Sequence, residues 1–119
     1  MTRDNEFIFN NVIYFTEDRI NSINRRLREE LNLKYLPYLG VNVICGKGEM
    51  CLEEDDGLFK YYVIDRNNKV YLEVYDSVFN AVDSLVKHYC YCFKEVDEST
   101  MKSIFYEELG LKNDKRILR

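Results

Sequence analysis

The chain has 119 residues, 46% hydrophobic and 32% charged, a mixture that suits one globular domain and excludes both a disordered segment and a miniprotein that folds only around a staple. A formal charge of −4 and a pI near 5.1 argue against a general nucleic-acid binder, which needs clustered Lys and Arg to displace phosphate counterions. No stretch approaches the roughly 20 apolar residues that span a bilayer, and Met1 to Asn10 lacks a basic start, an apolar run and a cleavage site, so a cytoplasmic protein with no membrane partner is expected.

Residues 1–15 hold Phe7, Ile8, Phe9, Val12, Ile13, Tyr14 and Phe15, which fit a strand by propensity, while Ile8, Val12 and Phe15 also fit a helical face. The pattern does not choose between them. From Thr16 the spacing predicts an amphipathic helix to about Leu33. Thr16 can cap it, Glu17 and Asp18 suit its positive end, and Ile20, Ile23, Leu27 and Leu31 share a face. On the other face Arg25 with Glu29 and Arg26 with Glu30 are i,i+4 pairs.

Pro37 and Gly40 break the helical pattern, and Val41, Val43 and Cys45 then alternate as a strand would. Gly46-Lys47-Gly48 reads as a hairpin loop, the return strand as Glu49 to about Glu53, and Glu54, Asp55, Asp56 and Gly57 as the next turn. Leu58 to Arg66 and Lys69 to Tyr75 are β-rich runs around Asn67-Asn68, a pair that tolerates the positive φ of a type I′ turn. That loop sets Arg66 against Lys69, Ile64 against Tyr71, Tyr62 against Glu73 and Lys60 against Tyr75. One face then carries Phe59, Tyr61, Val63, Val70, Leu72 and Val74 as core. The other carries Lys60, Tyr62, Ile64, Arg66, Lys69, Tyr71, Glu73 and Tyr75, aromatic and charged together.

Asp76 or Ser77 can cap a helix to about Cys92, with Val78, Val82, Leu85, Val86, Tyr89 and Phe93 on one side. Asp97 or Ser99 begins a last helix with Met101, Ile104, Phe105 and Leu109 inward, and Gly110 suits a left-handed C′ position, with Leu111 folding back on Tyr106. The basic tail, residues 112–119, reads as frayed. The order implies an α+β fold: an antiparallel sheet of about four strands in two hairpins, with three helices mainly on one face.

The chemical inventory is short. His88 precedes Cys92 by one helical turn and could activate its thiol, but no orienting group or oxyanion donor accompanies them. Cys45, Cys51, Cys90 and Cys92 lack the Cys-x₂-Cys knuckle of a zinc site, and reduced thiols are expected of a cytoplasmic chain. Gly46-Lys47-Gly48 is too short to cradle phosphate. No catalytic residue, cofactor or metal is expected. The acidic cluster of Glu49, Glu53, Glu54, Asp55 and Asp56 reads as a solvated hairpin edge or as a contact for a basic partner. The expected partner-binding surface is therefore the polar-aromatic face with that turn: Lys60, Tyr62, Ile64, Arg66, Tyr71, Glu73 and Tyr75, together with Glu53, Glu54, Asp55 and Asp56.

The run LPYLGVNVICGKGEMCLEEDDGLFKYYVIDRNNKVYLEVYDSVFNAVDSLVKHYC resembles the middle of small bacterial immunity proteins that neutralise polymorphic toxins, immunity family sixty-three in particular. The shared texture is a helix before a Leu-Pro segment, strands around an acidic Asp-Gly turn, an aromatic FKYYVIDRNNK hairpin and a helix after an Asp-type cap. The resemblance implies an antitoxin, not an enzyme, that covers a cognate toxin domain, for instance a basic nuclease of a contact-dependent system. An unrelated cytosolic adaptor or regulatory domain is the alternative that the residues leave open.

Overall fold

In the computed structural model, which describes residues 13–41 and 50–111 and only the backbone at Tyr71 and Leu72, each helix begins where a short polar side chain accepts from a free backbone amide. Helix α1 spans Glu17–Leu31, and Thr16 Oγ1 accepts from the Arg19 amide at 3.3 Å. It stops before Leu33 because Asn32 turns left-handed, φ 55°, and its amide closes on the Arg28 carbonyl. Helix α2 spans Val78–Cys92, with Ser77 rather than Asp76 as its cap. Helix α3 spans Glu98–Glu108, where Asp97 accepts from both the amide and the hydroxyl of Thr100 at 2.9 and 2.6 Å, bonds that hold its carboxyl below the ordinary Asp value. Past α3, Gly110 takes φ 70° and the Leu111 amide donates to the Tyr106 carbonyl at 2.8 Å, the expected left-handed ending.

Among the described residues four strands form one sheet in chain order: β1 Tyr38–Val41, β2 Met50–Asp55, β3 Leu58–Asp65 and β4 Asn68–Tyr75. The sheet is mixed. β1 runs parallel to β2, with Leu39 beside Leu52 and Val41 beside Glu54, so the expectation of a purely antiparallel sheet is corrected; the strand and loop of the expected first hairpin lie, beyond Val41, outside the described residues. β1 begins directly after Pro37, and its Leu39 buries beside Leu52 in the main core. The Gly46-Lys47-Gly48 loop, the undecided residues 1–12 and the tail 112–119 lie outside the described residues.

β2 and β3 form an antiparallel hairpin through Asp56-Gly57, and both turn residues take positive φ, 53° and 85°. β3 and β4 form the second hairpin. Its positive-φ pair is Arg66-Asn67, at 55° and 69°, one residue earlier than the Asn67-Asn68 turn read from the sequence. Asp65 therefore faces Asn68, Ile64 faces Lys69 and Val63 faces Val70. A bulge follows, and beyond it Tyr61 faces Glu73, Lys60 faces Val74 and Phe59 faces Tyr75. The extra residue on β4 flips its remaining side chains. Glu73 and Tyr75 move to the face of Phe59 and Tyr61, and Val74 moves to the opposite face, where it is 52% exposed.

The main core joins Leu39, Leu52, Phe59 and Tyr61 of the sheet to Ile23 and Leu27 of α1, to Ala81, Val82, Leu85, Val86 and Tyr89 of α2, and to Met101, Ile104 and Phe105 of α3. α2 lies against β2, β3 and β4, and α3 lies against α1 and α2. Arg26 of α1 makes the expected pair with Glu30 at 2.7 Å and also reaches Glu107 and Glu108 of α3 at 2.9 and 3.1 Å, so it ties the two helices as well as its own face. Arg25 donates to Ser22 Oγ. Among the described residues, no helix is long and apolar enough to cross a membrane.

Candidate functional site

The polar-aromatic face does not present the surface that strict alternation gives it. Tyr62 and Ile64 are buried with Cys51 in a small second cluster, at 0% and 6% exposure. The Tyr62 hydroxyl donates to Glu53 Oε1 at 3.0 Å, and burial, reinforced by that bond, pushes the phenol up to about 12. Lys69 places its ammonium 4.4 Å from the centre of the Tyr62 ring. Lys60 pairs with Asp55 at 3.0 Å at the edge of this face. Arg66, Asp56 and Glu73 are exposed, and the Tyr71 side chain lies outside the described residues. Tyr75, on the core face, donates to Glu73 and accepts from the Ser84 hydroxyl of α2 at 2.9 Å.

Glu54 is also removed from the expected surface. It is 2% exposed on the core face and accepts from the Tyr14 amide at 3.0 and 3.1 Å and from the Phe15 amide at 2.8 Å. These are the last amides before the α1 cap, so the carboxylate fixes the start of α1 to β2. A buried charge of this kind is a structural device because its oxygens are occupied by backbone donors. Glu53, at 9% exposure, is buried as well. Of the acidic turn, Asp55 and Asp56 reach the surface.

The imidazole candidate is engaged by the sheet. The Tyr61 hydroxyl and His88 Nδ1 share a hydrogen bond, and the rings meet edge to face with centroids 5.6 Å apart, so the imidazole is committed to β3. Burial raises the Tyr61 phenol above its ordinary range. Cys90 and Cys92 are free thiols, the first half-buried and pushed up by that burial, with Glu98 and Asp97 adding to it. Cys51 is disulfide-bonded, which corrects the all-reduced expectation and removes a ligand from any four-thiolate site. Among the described residues no group of three His, Cys, Asp or Glu is placed to hold a metal.

The structure instead assembles a site that the sequence reading passed over. The segment Lys34–Tyr38, with Asn24 of α1, Met50 of β2, Tyr89 of α2 and Phe93 just beyond it, surrounds a cleft of about 620 Å³. That is the size range of small-ligand and side-chain pockets. Tyr35 stacks on Phe93 at 6.2 Å and Phe93 packs on Tyr89 at 4.7 Å. The Tyr89 hydroxyl donates to the Tyr35 carbonyl, which pins the segment to α2. Burial, with Glu95 and Cys90 adding to it, pushes Tyr89 up to about 12. Tyr35 and Tyr38 remain 67% and 39% exposed. At the wall, Asn24 Oδ1 is buried without a hydrogen-bond partner among the described residues. The available signal was Tyr35-Leu36-Pro37-Tyr38 itself, an apolar-aromatic connection where a helix-to-strand loop is ordinarily polar.

Comparison with protein-family models, with curated proteins and with solved structures finds no match for this chain.

Proposed function

We propose that the chain is an immunity protein, an antitoxin that binds a cognate bacterial toxin domain and neutralises it by covering it. The observation that carries a binding role is the cleft flanked by the exposed rings of Tyr35 and Tyr38, because exposed aromatics around a concavity are the usual anchors of a protein interface. The net charge of −4 supports a basic partner, and Asp55, Asp56 and Glu73 supply surface carboxylates that would steer its approach. The resemblance of Leu36–Phe93 to toxin-immunity proteins supplies the particular class. Of the surface expected from the sequence, Lys60, Arg66, Glu73, Tyr75, Asp55 and Asp56 are exposed or half-buried, and the aromatic cleft adds an anchoring element to them. A standard interface of about 1,600 Å² would suffice for such a complex.

Co-expression with the toxin domain encoded immediately upstream tests this reading. Protection of the cells and co-purification of the pair are expected. Unprotected cells, or a pair that does not associate, overturn it. Within a complex, Tyr35→Ala with Tyr38→Ala should weaken affinity by about tenfold or more, as removal of an aromatic anchor does.

A further inference from the structure

We infer that the cleft is a receptor for a guanidinium group, the side chain of an arginine presented by the protein partner; this rests on the binding role proposed above. The walls suit that group. Tyr35, Phe93 and Tyr89 form a connected aromatic surface, and Tyr38 offers a further exposed ring. A guanidinium is planar, weakly hydrated for a cation, and stacks on aromatic faces.

Hydrogen-bonding chemistry points the same way. Arginine carries five N–H donors and no acceptor, so its natural complement is a site with acceptors to spare. Among the described residues Asn24 Oδ1 has no partner, and because the atom is closed to water a donor reaches it only as the cleft wall shifts. The Tyr35 carbonyl takes one bond from Tyr89, which leaves its second lone pair available. The field of α2 adds to this. α2 ends at Cys92, beside Phe93, so a negative helix end borders the cleft, whereas the end of α1 at Leu31 is offset by Arg28 in its last turn. The last turn of α2 contains no basic residue to offset its end. Glu95 acts electrostatically on the Tyr89 phenol and brings a full negative charge to the same region.

Lys34 is the opposing feature. It lines the cleft, is exposed, and would repel an arriving cation. That makes it a built-in discriminator of ligand class. Removing its charge should strengthen binding of a cation, leave a neutral aromatic ligand unaffected, and weaken binding of an anion.

The test is an NMR titration of the full-length ¹⁵N-labelled chain with N-acetyl-L-arginine amide, N-acetyl-L-tryptophan amide and N-acetyl-L-aspartate amide. The arginine derivative should shift the amide signals of Asn24, Tyr35, Tyr38 and Phe93 saturably. Tyr35→Ala, at an exposed position where folding is retained, should weaken that binding roughly fivefold, the range of an exposed cation–π contact, and Lys34→Met should strengthen it by about threefold. Absence of saturable shifts, tighter binding of the tryptophan or aspartate derivative, or weaker arginine binding in Lys34→Met each overturns the inference. The two proposals fail separately. A toxin complex whose affinity is unchanged in Tyr35→Ala rejects the cleft and keeps the antitoxin, whereas arginine binding with no toxin complex keeps the cleft and rejects the antitoxin.

Discussion

The two faces of the sheet receive adjacent carboxylates from β2 and treat them differently. On the core face, Glu54 spends both oxygens on the amides of Tyr14 and Phe15, so a charge that looked like part of an acidic surface turn is a clamp for the start of α1. On the opposite face, Glu53 accepts from the Tyr62 hydroxyl within the small cluster of Tyr62, Ile64 and Cys51, rimmed by Lys60, Asp55 and Lys69. The first face is one continuous core shared by sheet and helices. The second is a thin polar-aromatic layer in which Tyr62 is the central piece. Both carboxylates are buried, so burial alone does not tell their roles apart; the partner atoms do.

The largest effect should come from Glu54→Ala, which strands two amides at the start of α1 and removes charge-assisted bonds. We expect a loss of about 3 kcal/mol in urea unfolding, and Glu54→Gln, which keeps one acceptor oxygen, about half of that. A loss below about 1 kcal/mol would mean that α1 does not depend on this clamp. On the opposite face, Tyr62→Phe removes only a hydroxyl and should cost about 1.5 kcal/mol. The same residue gives a pH signature. Its folded pKa of about 12 lies above the unfolded value of about 10, so its contribution is complete below about pH 10 and is lost as pH rises through about 12. Tyr89, also raised to about 12, adds to that alkaline loss. Tyr62→Phe should flatten the decline without abolishing it, and a decline identical to that of the wild type would place Tyr62 outside the titration. Smaller again, and opposite in sign, is Asn24→Leu. Replacing an unpartnered buried oxygen by an apolar group of similar shape should raise stability by about 1 kcal/mol. If stability falls instead, the amide has a partner in solution.

Local signals in the sequence placed the helices, because Thr16, Ser77, Asp97 and Gly110 act within one turn of their own position and need no tertiary context. The α+β class followed from the same elements. What did not follow was anything decided across the sheet. The parallel pairing of β1 depends on Leu39 finding Leu52, which no local pattern announces. The turn at Arg66-Asn67 departs from the rule that Asn-Asn should hold both positive φ values. The site was legible in composition and misplaced in space: the abundance of Tyr pointed to an aromatic surface, but Tyr62 went inward and Tyr35 and Tyr38 supplied the exposed rings.

Val74→Lys is the smallest perturbation and the most direct check on the bulge. Strict alternation from Val70 puts Val74 in the core, where a lysine would cost several kcal/mol through lost packing and an unpaired buried charge. The bulge between Tyr61 and Val63 moves Val74 beside Lys60 on the opposite face, at 52% exposure, where a lysine stem can lie along the surface with its ammonium in water. The expected change is therefore within about 0.5 kcal/mol, with a slight penalty because Lys60 is the cross-strand neighbour and like charges repel. Tyr75→Ala supplies the converse. Strict alternation leaves it on the outer face, but the bulge turns it to the core side, where its hydroxyl reaches Ser84 of α2. A tolerated Val74→Lys beside a costly Tyr75→Ala fixes the β4 register after the bulge, and the reverse pattern would restore the unbroken hairpin.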